Sequence, residues 1–577
     1  MQLYLDGISV EACPGETLRD LVKRLGLDTE SLATRPLAAD ISGEVFTLNY
    51  IPIRTPENGE AITSARTRKA VRESNGTIRL IRYNESRGRD VYERTLLFVF
   101  FLAMRSLYPK ATARVNHALG GALDIEITSD EPFLADDVER LREECRRIAD
   151  ADYALERHRL DIQQAIEFFE HDGQEDKARL LKWRNFTYFD VYRHQDYVDY
   201  FYGEMCPSTG YAKVFELQYR NGGLFLLLPQ KTNPDRSIRY VYYPHMAATY
   251  EESERWGNLM HCSAVADLNA MVENGSVREL IRVNEALHER RFAEIATTIL
   301  HRGAKAVLIA GPSSSGKTTS ANRLATQLRV LGKSPILLSL DDYYIDRKYV
   351  KPDANGEIDY EHLNMIDVPQ FNRDLEALLK GDTVEIPKFY FPTGSRVYDG
   401  HFLTLKDDAI LIIEGLHALN PALLTPAIDR KRIFKLYVSA MTTINLDNHN
   451  RIPTTDVRLL RRMVRDYLTR GASVERTLGM WESVRRGERR WIFPYQEGAD
   501  AIMNTALVYE LCVLKKHVYP LLKEVTPDHP CYEEVVRMIK FLNYIRDAAV
   551  EDEIPPTSIL REFVGGNTFY RKEPEEA

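Results

Sequence analysis

The chain has 577 residues, 44% of them hydrophobic and 28% charged, with a net charge of −9. That is the composition of folded globular protein, at a length that calls for several cores rather than one. The acidic balance disfavours a nucleic-acid-coating protein, six scattered cysteines without a C-x-x-C pair exclude a zinc ribbon or a disulfide scaffold, and no apolar run approaches the ~20 residues of a membrane helix. No basic–apolar leader pattern opens the chain, so a cytoplasmic protein with reduced thiols and no membrane partner is expected.

Residues 1–60 read as a small β-grasp domain. Asp6-Gly7 between Gln2–Leu5 and Ile8–Val10 is a hairpin turn signal. Leu18, Leu21, Val22 and Leu25 are spaced for a helix from Thr17, and apolar runs return at Leu37–Ala39 and Val45–Leu48. Nothing in this stretch looks catalytic. Residues 61–225 read as an α+β domain. Tyr92–Tyr108 predicts an apolar helix, Leu123–Ile127 alternates like a strand, and Asp136–Ala165 predicts one long charged helix with a solvated face.

On Leu107-Tyr108-Pro109, Asn116–Gly120 and Tyr197-Val198-Asp199, this front half resembles threonyl-tRNA synthetase, with residues 1–60 like its N-terminal (TGS) domain and about 90–220 like its editing domain. The resemblance places the synthetase's His-x-x-x-His pair on Arg94 and Phe98, and its later Cys and His on Phe201 and Met205. None of these can act as an ordinary ligand or proton relay, so the editing chemistry is expected to be lost. His117 and Cys206 survive nearby and are expected to be structural.

Residues 226–300 read as a partly helical connector. Asn233-Pro234-Asp235 signals a turn. Tyr240, Tyr242, Tyr243 and Tyr250 suggest packing against a neighbouring domain, and Val277–His301 has helical periodicity. The rest of the chain, 301–577, reads as a doubly wound α/β nucleotide-binding domain. Ala306–Ala310 predicts a buried parallel strand. It is followed by a G-x4-G-K-[ST] loop: Gly311, Pro312, Ser313, Ser314, Ser315, Gly316, Lys317 and Thr318, then Thr319. The two glycines let successive N–H groups face phosphate oxygens, and Ala321, Leu324, Ala325 and Leu328 mark one face of the helix whose positive end adds to them. Lys317 is expected at the β- and γ-phosphates of ATP, and Thr318 at Mg2+.

Further parallel strands are predicted at Ser334–Leu340, Ala409–Ile413, Phe434–Val438 and Ala501–Met503. Asp341, at the carboxyl end of its strand, is expected to accept a proton from an attacking hydroxyl, whereas Asp342 is expected to cap the next turn. Glu414 closes an apolar strand in the Walker-B manner and is expected to hold Mg2+. In the helix over Asp456–Gly471, the stripe Leu460, Met463, Val464, Tyr467 and Leu468 predicts a core face. Arg458, Arg461, Arg462, Arg465 and Arg470, with Arg485, Arg486, Arg489 and Arg490 beyond, predict a lid over the triphosphate.

From about 303 to 510 the chain resembles the uridine kinase / phosphoribulokinase family. The carrying residues are Gly311–Thr319, Ser339–Tyr344, Asp359–His362, Pro387–Phe391, Ile413–Gly415 and Arg461–Asp466. The resemblance makes Asp341 the base at a nucleoside 5′-hydroxyl, puts Glu361 on the ribose hydroxyls and Phe389 with Tyr344 beside the nucleoside, and makes Arg462, Arg465 and Arg470 lid arginines. It also shows departures. Gly394 stands where the family reads the base with a histidine, Ala472 replaces a further lid arginine, and a base-contacting glutamine is replaced near Met480. The two halves together, including Ile559–Gly566, resemble bacterial nucleoside kinase-like proteins. The expectation is an ATP- and Mg2+-dependent nucleoside kinase with a small-molecule partner, assembled as a homo-oligomer. The alternatives are an RNA- or tRNA-associated regulator that uses ATP as a switch, and residual aminoacyl-ester hydrolysis.

Overall fold

The computed structural model describes residues 2–53, 76–184, 186–220, 223–350, 361–390 and 392–570. Asp359, Tyr360 and Phe391 of the sequence motifs lie outside the described residues. The chain forms two compact units. The first holds residues 1–242 with 264–266 and 445–451; the second holds 243–263, 267–444 and 452–577. Among the described residues no helix is long and apolar enough to cross a membrane.

The first unit opens with the expected hairpin, β1 (Gln2–Leu5) and β2 (Ile8–Glu11), turned by Asp6 and Gly7 at φ +48° and +84°. Helix α1 (Leu18–Arg24) starts in a capping box between Thr17 and Asp20. Strands β3 (Ala38–Ile41) and β4 (Glu44–Thr47) follow. The sheet is completed from beyond residue 60: β5 (Thr77–Ile81) lies between β1 and β3, giving the order β2-β1-β5-β3-β4. It runs parallel to β1 and antiparallel to β3.

Helix α2 (Ser86–Leu107) begins a turn and a half before the apolar run and is buried on nearly every side from Val91 to Phe101, as a helix apolar all round must be. An antiparallel sheet of β6 (Thr112–Leu119) and β7 (Ala122–Thr128) with two later strands, Glu216–Arg220 and Gly223–Leu227, completes this core. The single long helix expected over Asp136–Ala165 is corrected. Helix α3 (Ala135–Asp150) stops at a turn in which Asp152 is left-handed (φ +50°), Glu156–Asp161 is a strand paired with Tyr188–His194, and a new helix, Ile162–His171, starts with Asp161 as its cap. The charges of Glu156-Arg157-His158-Arg159 imitate a helical surface, but across the ladder Arg157 and Arg159 both pair with Asp190. Cross-strand pairing decided that segment.

In the second unit, α4 (Pro244–Leu259) and α5 (Val277–His301) lie within the stretch read as a connector. They precede a five-stranded parallel sheet made of β8 (Ala306–Ala310), β9 (Ser334–Ser339), β10 (Ala409–Glu414), β11 (Ile433–Ser439) and β12 (Ala501–Asn504). The order is β9-β10-β8-β11-β12. Every residue of β8 is buried, as befits a central parallel strand. Helix α6 (Lys317–Val330) follows β8. Helices α7 (Thr454–Arg470) and α8 (Val474–Trp491) stand between β11 and β12. Neighbours of β8 connect away in both directions, so the crevice of this sheet opens at the carboxyl end of β8.

Candidate active site

Gly311 leaves β8 so close to β11 that a Cβ would fall 2.0 Å from Val438 O and 2.8 Å from Ser315 Oγ. Only glycine passes there. Ser314 (φ +59°) and Gly316 (φ +83°) then turn the loop left-handed. Gly316 caps α6, so the first turn of that helix, whose N–H groups lack intrahelical acceptors, opens at the end of the loop. Lys317 is folded back over the loop, its Nζ donating to Gly311 O at 3.0 Å and Pro312 O at 3.3 Å. Burial lowers its pKa, against the nearby carboxylates of Glu414, Glu562 and Asp341.

The acids come from the neighbouring strands. Asp341 lies in the short turn after β9, its N–H donating to Ser339 Oγ at 3.3 Å. Glu414 ends β10 in register with Ser339 and Ile309, and its Oε1 accepts from Ser339 Oγ at 3.4 Å. Burial pushes the Glu414 carboxyl up to about 7; the charge of Asp341 adds to this and Lys317 opposes it. Burial raises Asp341 as well, again opposed by Lys317. Lys317, Asp341 and Glu414 therefore share one electrostatic neighbourhood. Asp342 does other work: it accepts from Lys388 Nζ at 3.1 Å and from the Phe389 N–H at 3.3 Å, pinning the strand Lys388–Tyr390.

That strand carries Phe389, whose largely buried ring stands 5.5 Å from the ring of Tyr344. Glu361 O is 2.9 Å from His417 Nε2, and the Glu361 carboxylate presses on α8 where a Cβ on Gly487 would be 1.7 Å from Oε2. In the hairpin after Phe389, Gly394 (φ +65°) is covered by Arg347, whose Cδ would lie 2.3 Å from a Cβ there.

The arginines divide into two groups. Arg458 and Arg461 are buried and hold loop backbone: Arg458 Nε donates to Ser313 O at 2.9 Å, and Arg461 pairs with Glu510 and donates to Thr505 O at 2.7 Å. Neither of these two lies on a solvated face. Arg462 Nη1 reaches Ser313 Oγ at 2.7 Å. Arg462, Arg465 and Arg470 all approach the buried Asp466, at 3.3, 2.7 and 3.6 Å. Of the predicted core stripe, Leu460, Met463 and Val464 are buried, whereas Tyr467 and Leu468 are exposed. Sequence reading missed Glu488, which accepts from the Ser313 N–H at 2.9 Å and pairs with Arg458, and Glu562, which bonds Thr319. An acid inside the arginine-rich run Arg485–Arg490 offered no signal of either contact.

In the first unit the positions expected for synthetase ligands are packed shut. Phe98, Phe201 and Met205 are buried, and Arg94 donates to Glu204 O at 2.9 Å. His449, from the 445–451 segment, stacks on Phe101 with ring centroids 3.5 Å apart. Its Nδ1 stands 2.8 Å from Asp199, whose other oxygen is 2.8 Å from the buried Lys177. Cys206 is buried, and His117 lies 3.6 Å from Asp124.

The chain is similar to known proteins in both halves. A profile of the phosphoribulokinase / uridine kinase family matches residues 306–510. The uridine kinase of Staphylococcus aureus strain JH9 is 31% identical over 196 residues, which is 84% of that protein and 34% of this chain. This chain belongs to the phosphoribulokinase / uridine kinase family. The family match runs from β8 to the start of the helix after β12 and contains every residue of the loop, the two strand-end acids, Arg462, Arg465 and Arg470. Family members thus correspond to one part of the second unit. A threonine–tRNA ligase from Acetivibrio thermocellus is 28% identical over 213 residues, 37% of this chain; the chain spans 30% of that ligase's length. A solved structure described as a possible uridine kinase from Bacillus stearothermophilus is 27% identical, covers 26% of this chain and 79% of its own, and superposes with a TM-score of 0.22.

Proposed function

We propose that the protein is an ATP- and Mg2+-dependent phosphotransferase acting on the primary hydroxyl of a nucleoside. The observation that carries this reading is the grouping of Lys317, Asp341 and Glu414 at the carboxyl ends of adjacent parallel strands, in a chain of this family. The N–H groups at the start of α6, from Gly316 to Thr318, and the Lys317 ammonium hold the β- and γ-phosphates. Asp341 takes the proton of the acceptor hydroxyl as its oxygen bonds to the γ-phosphorus and the bond to the bridging oxygen of ADP breaks. Arg462, Arg465 and Arg470 offset charge on the transferring group. Glu361 holds the ribose hydroxyls, and Phe389 with Tyr344 lies along the nucleoside.

The residues present fit a magnesium ion. Glu414 is a half-buried carboxyl whose pKa is raised by desolvation and by the charge of Asp341, an environment that a cation would relieve, and Thr318 adds a hydroxyl. Among the described residues no three His, Cys, Asp or Glu converge on one point. Mg2+ takes most of its ligands from phosphate and water, so one or two protein ligands are enough to hold it. When bound, it supplies charge neutralisation at the phosphates; the protein's part is Glu414 and Thr318 held at adjacent strand and helix ends.

Gly394 leaves no side chain to read a base, and Arg347 covers the spot, so the base is a weaker determinant than the sugar. ADP release from the purified protein, measured across nucleosides, ribose derivatives and pantothenate-like alcohols, tests the reading. Turnover with none of them overturns it. The ligase similarity favours a second reading for the first unit: a TGS-like and editing-like pair that binds tRNA-like RNA without hydrolysing it. Salt-sensitive tRNA binding tests that reading.

A further inference from the structure

The family match ends at residue 510, yet a later part of the second unit returns to the phosphate loop. Ser558 is buried and donates to Glu285 Oε1 at 2.5 Å. Leu560 and Phe563 are fully buried, with the Arg461 guanidinium 5.0 Å from the Phe563 ring. Between these anchors Ile559 lies against Gly316, where a Cβ would be 2.7 Å from Cγ2. The Glu562 carboxylate points the same way. Its Oε2 accepts from the Thr319 hydroxyl at 2.7 Å and from the Thr319 N–H at 3.3 Å, while Asn567 Nδ2 donates to Thr319 Oγ1 at 3.3 Å.

Thr319 is the third residue of α6, so its N–H belongs to the first turn, which has no intrahelical acceptor and attracts phosphate. A carboxylate on that N–H offers the charge and acceptor oxygen of a phosphate. Glu562 and a phosphate oxygen cannot both take it without bringing two anions into contact. The anchors Ser558, Leu560 and Phe563 hold the segment without help from Glu562, which is only half-buried. Loss of the carboxylate bond therefore loosens the 561–567 end, which Glu562 and Asn567 tie to Thr319, without detaching the segment.

We propose that Glu562 is a latch on the nucleotide site: the phosphate chain of the nucleotide displaces it from Thr319, and the Ile559–Asn567 segment thereby sets nucleotide affinity. This rests on the loop being a nucleotide site. The test is calorimetric titration of full-length wild type and Glu562→Gln with ADP, together with amide hydrogen exchange of residues 559–567 in the wild type with and without ADP. A carboxylate bonded to a donor that the ligand needs weakens the ligand by the strength of that bond, so Glu562→Gln should bind ADP about tenfold more tightly. ADP should also lower the protection of 561–567 in the wild type. Unchanged or weaker ADP binding by folded Glu562→Gln overturns the latch, and so does protection that rises or stays constant with ADP, a result that needs no variant. A wild type that binds no ADP overturns the nucleotide reading, and the latch with it.

Discussion

The backbone N–H of Ser313 donates to Glu488 Oε1 at 2.9 Å, although the two residues belong to the loop after β8 and to α8. Ser313 is held on all its polar groups: its carbonyl accepts from Arg458 and its hydroxyl from Arg462. Helices α7 and α8 are thereby attached to the loop after β8 by one serine.

Glu488→Ala should be strongly destabilising. Arg458 is as buried as Glu488, and losing one partner leaves a charge without compensation, at a cost of about 3–5 kcal/mol. Glu488→Ala/Arg458→Met should recover much of that loss. Urea unfolding followed by tryptophan fluorescence checks this through Trp481, which α8 carries beneath Arg458. Equal destabilisation of the single and double variants would remove the pair from the account.

Asp341→Asn and Lys317→Ala should separate transfer from binding. The asparagine cannot take the proton but keeps the shape, so ADP affinity should stay within about threefold while turnover falls by roughly 100-fold or more. Lys317→Ala should lose both. If Asp341→Asn weakens ADP as much as Lys317→Ala does, Asp341 is not the base.

Gly487→Ala should act on the acceptor alone. The added methyl meets the Glu361 carboxylate, which must move, while the phosphate loop is untouched. The acceptor KM should rise about tenfold with ADP affinity unchanged, a loss of roughly 1.4 kcal/mol. A shift in ADP affinity of the same size would place Glu361 outside the acceptor pocket.

Glu414 gives a pH dependence with a definite sign. Its folded-state pKa, raised by burial to about 7, stands above its ordinary value of 4.5. The protonated form is the one favoured by the fold, so this group's contribution to ligand-free stability is present below 4.5 and lost as pH rises through 7. Cation binding needs the carboxylate and runs the other way. Thermal stabilisation by Mg2+ and ADP should therefore grow between pH 5.5 and 8, and Glu414→Gln should flatten both profiles.

Local rules carried the reading a long way. The Asp6-Gly7 hairpin, the Thr17 cap, the apolar runs of the parallel sheet and the glycines of the phosphate loop each act on neighbours in sequence, and each stands in the structure where its residues put it. Asp341 and Glu414 could be found as candidates for the same reason: a carboxyl group at the carboxyl end of a parallel strand lies beside the crevice of the sheet.

What the sequence by itself determined is the order of the strands' chemistry: a loop whose glycines cannot be anything else, and acids at the ends of the two strands that pair beside it. Only the tertiary structure decided what holds that loop. Glu488 and Glu562 are far from Ser313 and Thr319 along the chain. The same separation hid β5 from the first sheet and made Glu156–Asp161 look helical. A charged residue's role depends on which opposite charge or bare N–H the fold brings against it, and that partner has no periodicity to announce it.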